Sequence, residues 1–341
     1  MIMLIVGVVV LVSIALMAAL QLRGDRHDRR LFPPPGRMVD IGGRSLHARV
    51  AGSGTPAVVF ESGISASSVS WTVLQPRIAQ LTTTVSYDRA GLGWSDPVSG
   101  HFDAERLVAD LELLLRNLSI APPYILVGHS YGALLVRLYA ERNPGQIAGL
   151  VLVDPVLGSE WAQPDAGHVR SLKAACMLSS WGAVLARLGV VRFATAPLLR
   201  ESTVLPMLIG KASAGPAAGV IDRSTGEIRK LPRESWPVVR ALWCRPGSFR
   251  GMARHLRALP SSFEHLRNAA FDFPIVVISA DNLTPEGLAE HRAIAALSHQ
   301  GEHVLAEGSG HWVHFDAPDV IAAAIRRVLG AGVCDANNTR G

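Results

Sequence analysis

Residues 124–132 read Tyr124-Ile-Leu-Val-Gly-His-Ser130-Tyr-Gly132, and the fold is decided here. The apolar run 124–127 predicts a buried strand. The pattern of 131–142 (YGALLVRLYAER) predicts a helix that starts at once after it. Between the two stands G-x-S-x-G. A serine held in so sharp a strand-to-helix turn needs neighbours without side chains, so that its Oγ stands clear. Ser130 is therefore a candidate nucleophile, and its setting counts for more than five letters in a chain with 32 glycines. The side chains of His129 and Tyr131 read as packing or pocket groups.

Outward from this stretch, strand and helix signals alternate. Residues 38–50 read as a hairpin turning at Gly42-Gly43, and 57–60 and 83–87 as short strands with a helix over 69–80 between them. Residues 103–118 have helical period, with Leu107, Leu111, Leu114, Leu115 and Leu118 on one face. Strands are expected again at 149–153, 274–278 and 303–306, and helices at 286–297 and 318–329. Continuous apolar strands separated by helices predict an α/β domain over 37–330, with a mostly parallel sheet covered on both faces. From about 158 to 269 the rhythm fails, and this stretch reads as an inserted, mainly helical cap. Residues 331–341 read as a loose tail.

The chain has 341 residues, 49% hydrophobic and 18% charged, which excludes disorder and coiled coil. Its formal net charge is +5, yet the 33 basic residues are spread along the chain and aromatic residues make up only 6%. No basic groove interleaved with aromatics is visible, so nucleic acid is not an expected partner. Cys176, Cys244 and Cys334 match neither a disulfide framework nor zinc-ligand spacing, and no metal or cofactor is expected.

Residues 1–20 carry no charge and one polar side chain, Ser13. At 1.5 Å per residue such a helix matches the roughly 30 Å hydrocarbon core of a bilayer. A secretory signal would have a charged n-region, a shorter apolar stretch and a small-residue cleavage site. Residues 1–22 are therefore expected to be an uncleaved single-pass anchor in the cell membrane, with a cleaved signal and a buried core helix as alternatives. Arg23, Arg26, Arg29 and Arg30 on its C-terminal flank put the bulk of the chain in the cytoplasm by the positive-inside rule. Residues 23–36 read as a linker, with Pro33-Pro34-Pro35 a stiff spacer.

Five landmarks occur in order: Phe60-Glu-Ser-Gly-Ile64, Tyr87-Asp-Arg-Ala-Gly-Leu-Gly-Trp-Ser-Asp96, Gly128-His-Ser-Tyr-Gly132, Leu152-Val-Asp-Pro155 and Gly308-Ser-Gly-His311. Through them the chain resembles the α/β-hydrolase superfamily over roughly 37–157 and 270–330; the cap matches no motif. The resemblance implies His311, between the last strand and the final helix, as the base that activates Ser130, with His314 a secondary competitor. For the acid it favours Asp281, in Asp281-Asn-Leu-Thr-Pro285, a loop like the family's Asp-Pro-Leu-Val-Pro. Asp154, after the preceding strand, is the alternative. The oxyanion hole it implies is the pair of backbone N–H groups of Tyr131 and Ile64. Glu61-Ser62-Gly63 departs from the His-Gly that many relatives carry there, and Glu61 reads as a structural carboxylate. The 88–96 loop reads as support, with Asp88 and Arg89 pairing locally.

These residues imply a serine hydrolase acting on an ester, amide or lactone through an acyl-enzyme. Related dehalogenases and epoxide hydrolases resemble the chain in fold but have aspartate where Ser130 stands. A haloperoxidase-like or carbon–carbon bond hydrolase would use the same triad, and an inactive membrane-tethered binding protein is the third reading. The Ala-, Leu- and Val-rich cap beside an anchor suggests a small, hydrophobic or lipid-like substrate.

Overall fold

The computed structural model describes residues 1–97, 99–100, 102–196, 227 and 230–338. Eight strands form one sheet: β1 (Arg37–Asp40), β2 (Ser45–Ala51), β3 (Ala57–Glu61), β4 (Thr84–Tyr87), β5 (Tyr124–His129), β6 (Ile147–Val153), β7 (Ile275–Ala280) and β8 (Gly301–Ala306). Their order across the sheet is β1-β2-β4-β3-β5-β6-β7-β8. The β1–β2 and β2–β4 pairs are antiparallel and the other five parallel, so the sheet is mostly parallel as expected. Gly42 and Gly43 turn the β1–β2 hairpin at φ of 92° and 80°.

Parallel strands require crossover segments, and those segments cover both faces. Every residue of β3, β4, β5 and β7 is buried. On one face lie α2 (Ala104–Asn117) and α3 (Tyr131–Arg142); on the other lies α9 (Pro318–Asn338), through Ile321, Ile325 and Val328. Asp103 caps α2 by accepting from the Arg106 N–H at 2.8 Å, and the leucine face expected of that helix is buried. Helix α8 (Pro285–Ala295) links β7 to β8.

Between β6 and β7 the chain leaves the sheet, and among the described residues this stretch holds a short helical turn at Gly158–Trp161 and the helices α4 (Ala166–Arg187), α5 (Val190–Ala194), α6 (Trp236–Trp243) and α7 (Pro246–Ser262). The parts of the expected cap at 197–226 and 228–229 lie outside the described residues. Helix α7 ties this layer to the sheet. Tyr131 Oη and Ser262 Oγ are 2.9 Å apart, and Gly251 packs so closely on Gly91 that a Cβ there would sit 2.3 Å from the Gly91 carbonyl oxygen.

Three expectations are corrected. The helix expected at 69–80 is two short turns, Ser68–Trp71 and Gln75–Ile78. Pro76 has no N–H to continue a helix. The buried Gln75 amide is engaged by the Arg49 carbonyl and the Ser86 hydroxyl. The segment read as a linker from residue 23 is helical as far as Leu31, because α1 (Ile2–Leu31) continues through it. Asp25 and Arg29 pair one turn apart, and Asp28 meets Arg192 of α5 at 2.7 Å. The residues read as a loose tail are helical to Asn338; 339–341 lie outside the described residues. Helix α1 is long and apolar enough to cross a membrane, by length and composition, a test that a signal sequence also passes.

Candidate active site

Strand register brings the candidate residues together. His129 is level with Val153 across β5–β6, Val153 with Ile278 across β6–β7, and Ala280 with Ala306 across β7–β8. Ser130 and Asp154 therefore leave the same edge of the sheet on adjacent strands, and His311 follows β8 by five residues. This edge, beyond the carboxyl ends of the strands, is where open α/β sheets place their ligands.

Ser130 sits at φ 54° and ψ −119°, a strained backbone for a residue with a side chain. Its N–H donates to the Val153 carbonyl at 2.9 Å, and its carbonyl accepts from Ala133 N–H at 3.0 Å. The two flanking glycines are there for lack of room. A Cβ on Gly128 would lie 2.6 Å from the Gly132 carbonyl oxygen, and one on Gly132 would lie 2.5 Å from that of Glu61.

The structure gives His311 to Asp154. His311 Nδ1 donates to Asp154 Oδ2 at 2.6 Å, while the Ala280 N–H donates to Asp154 Oδ1 at 3.1 Å. Asp154 is buried at 5% exposure and held at φ 42°, which aims its carboxylate across the end of β7. Burial pushes its carboxyl up, but the hydrogen bond and positive charge of His311, the Ala280 N–H and the charge of His291 outweigh this and hold it below the ordinary carboxylate range. Asp281, the favoured acid from the sequence, is corrected. Its Oδ2 accepts from the Gly308 N–H at 2.9 Å, its own N–H donates to the Ser309 carbonyl, and it is exposed. Only residues 281–284 separate β7 from α8, so Asp281 shapes the loop that carries His311 and does not reach the imidazole.

Two further groups position this pair. His129 Nε2 donates to the backbone carbonyl of His311 at 2.8 Å, so its buried ring fixes the 311 loop beside Ser130. Burial, then the charge of His311, pushes its pKa down to about 3, and it stays a neutral positioning group. His291 Nε2 donates to the Pro155 carbonyl at 2.9 Å, and its Nδ1 is 2.7 Å from the Ser279 hydroxyl, bracing the turn that holds Asp154. His314 is fully buried against Trp71 and Phe315, and burial pushes its pKa well down.

The loop after β3 is held from below. Arg89 pairs with Glu61 and donates to the carbonyls of Ser62 and Gly63, while Tyr87 donates to Glu61. Asp88 does not pair with Arg89; it accepts from His47 Nδ1 at 2.9 Å, Ser68 N–H at 2.6 Å and Trp94 N–H at 2.9 Å. The two residues follow the end of β4, and each side chain fastens a different loop. Arg89 thereby fixes the backbone leading to Ile64, and Tyr131 is the first residue of α3, where an N–H has no partner within the helix. Arg89→Met should cost about 3–5 kcal/mol by leaving the buried Glu61 without its cation. A urea melt of the variant reads that loss, and an unchanged midpoint would refute it.

A cavity of about 110 Å³ begins at Ser65 and Ala66, just beyond Ile64, and is walled by Leu92, Leu242, Phe249 and Met252. Among the described residues its lining does not include Ser130 or His311. It holds one buried acid, Glu227, which accepts from the Ser70 hydroxyl and whose carboxyl burial pushes up to about 7. Nothing in the sequence singled out Glu227, because the surrounding segment matches no motif. Among the described residues no group of three His, Cys, Asp or Glu side chains is placed to hold a metal ion.

A covered parallel sheet with a serine in a strained turn after its central strand and a histidine on the last loop defines the class of hydrolases built on this scaffold. The family model described as "Alpha/beta hydrolase family" matches residues 58–324, and the chain belongs to that family. The uncharacterized protein YqjL of Bacillus subtilis is 27% identical over 280 residues, which is 80% of this chain and 83% of that protein. A 2-(acetamidomethylene)succinate hydrolase of Mesorhizobium japonicum is 35% identical over 118 residues, 35% of this chain and 42% of that enzyme. Among solved structures, the enol-lactonase of Burkholderia xenovorans superposes with a TM-score of 0.59 at 18% identity, covering 86% of this chain and all of that one.

Proposed function

We propose that the chain is a membrane-anchored serine hydrolase that cleaves a hydrophobic, lipid-like ester. The observation that supports this most directly is the 2.6 Å Asp154–His311 hydrogen bond beside the strained Ser130 turn. Asp154 fixes the tautomer with Nδ1 protonated, leaving His311 Nε2 to take the Ser130 proton as Oγ bonds to the substrate carbonyl carbon. The tetrahedral oxyanion lies on the Tyr131 and Ile64 N–H groups. His311 then passes the proton to the departing alcohol, and water, activated in the same way, releases the acid and restores Ser130. Helix α1 spans the membrane, and the four arginines after it favour a cytoplasmic catalytic domain.

The apolar cavity supports a hydrophobic substrate, since each methylene buried in such a pocket adds about 0.8 kcal/mol of binding. For the full chain in detergent, kcat/KM over p-nitrophenyl esters should rise roughly tenfold or more from the acetyl to the octanoyl ester. An acetyl ester turned over fastest would overturn the lipid-like reading and leave the triad intact. Absence of all ester, amide and lactone turnover, together with absence of fluorophosphonate labelling, would overturn the hydrolase itself.

A further inference from the structure

We propose that the outer face of α4 and α5 is itself seated in the interfacial layer of a lipid bilayer, so that the protein meets the membrane through its cap as well as through α1. On α4, Met177, Leu178, Trp181, Val184 and Leu185 are exposed and recur at helical spacing, which gathers them into one stripe. The opposite face of the same helix, Ala175, Ser179, Gly182, Ala183 and Ala186, is buried. Beyond the turn at Gly189, Phe193 of α5 is also 81% exposed. Large apolar side chains on the outside of a helix whose inside is already packed contribute nothing to the fold, and a contiguous patch of them marks an interaction surface.

The occupant follows from where this patch lies. Helix α1 docks onto the same corner of the cap. Gly189, between α4 and α5, lies so near the Met17 carbonyl that a Cβ would sit 2.9 Å from its oxygen. Gln21 Nε2 donates to the Cys244 carbonyl at 2.8 Å, and Arg192 Nε donates to Gln21 Oε1 at 2.8 Å. These contacts fall where the uncharged stretch 1–20 gives way to the charged residues 23–30, the level at which a spanning helix leaves the hydrocarbon. The exposed α5 residues are thus held beside the helix at the membrane boundary. Phe193, held at that level, suits the headgroup region, and Trp181 lies about two turns away along α4.

Charge agrees with this placement. Beside the stripe, Arg187 of α4 and Arg250, Arg254 and Arg257 of α7 line a groove that also includes Val184. An apolar stripe flanked by arginines is the pattern of an interfacial helix on anionic lipid. The docking also bears on substrate. Gly182, on the inner face of α4 next to Trp181, packs against Phe249, and Phe249 walls the apolar cavity. One helix separates that cavity from the bilayer, which favours substrates drawn from the lipid phase.

The inference rests on α1 as a membrane span and not on the triad, and its test keeps the two apart. The full chain is reconstituted into phosphatidylcholine–phosphatidylglycerol vesicles, and tryptophan emission is quenched with dibrominated phosphatidylcholine. Trp181→Phe should lose a bromolipid-quenched component of the parent emission, and Phe193→Trp should gain one. Arg187→Glu with Arg250→Glu should reduce the quenching of Trp181 in anionic vesicles. Chain that floats with the vesicles yet shows the same quenching in parent and both aromatic variants overturns the docking. So does a cross-linked dimer in which Trp181 is shielded from bromolipid. Chain that does not float at all overturns anchor and docking together. Fluorophosphonate labelling of the same samples reports separately on Ser130.

Discussion

Ser130→Ala should eliminate labelling by a fluorophosphonate probe and lower turnover of any accepted ester by a factor on the order of 10⁵ to 10⁶. The size of the effect follows from what remains. Without Oγ no acyl-enzyme forms, and the oxyanion donors can only assist direct attack by water, which typically leaves a residual 10³ to 10⁴ over the uncatalysed rate. The substitution is small and keeps the Cβ, so the strained turn at φ 54° and its hydrogen bonds to Val153 and Ala133 are retained. Circular dichroism and thermal melting of parent and variant should therefore coincide. A variant that folds like the parent and still labels would move the nucleophile elsewhere.

Asp154→Asn should reduce kcat by about 10⁴-fold, whereas Asp281→Asn should stay within roughly tenfold of the parent. The amide can present its N–H to His311 Nδ1, which selects the tautomer with the proton on Nε2 and leaves no base facing the serine. In the proposed mechanism it also removes the negative charge that would stabilise the imidazolium formed as Ser130 attacks. Asp281 makes its hydrogen bond to the exposed Gly308 N–H, which an asparagine oxygen can accept equally well. The comparison of the two variants is more informative than either alone. Equal losses would mean that the 308–311 loop, and not the carboxylate on His311, limits the reaction, and a larger loss at Asp281 would reverse the assignment.

The contrast between these aspartates shows what a linear sequence conveys here. Strands β3 to β8, helices α2 and α3 and the serine turn were legible because their signals are local: apolar runs of strand length, a leucine face, two glycines around a serine. The acid was not, because two aspartates follow neighbouring strands, and the one that meets His311 is set by a positive φ at Asp154 and by a four-residue loop after β7. Asp88 and Arg89 read as partners from their adjacency, yet their partners lie 41 and 28 positions away in His47 and Glu61. His129 was read as packing, and its bond to the His311 carbonyl spans 182 positions. Helix α1 outran its apolar stretch because Asp28 and Gln21 find partners on the cap, which no periodicity encodes.

That attachment of α1 has a mechanical side. Through Gln21 and Asp28 the helix is fastened to α5 and to the end of α6, both in the cap, whereas β1 begins at Arg37 in the sheet. The chain crosses from cap to sheet within residues 32–36, where Phe32 is pinned by the Trp94 indole at 3.0 Å and three prolines follow. Any parting of the two layers must be accommodated by that short strap as well as by the cap's own links to the sheet after β6 and before β7. If the cap is seated in the bilayer as proposed above, any such parting would move the catalytic body on its proline leash and leave the cap in place. The usual picture of a lid lifting from a fixed enzyme is then inverted.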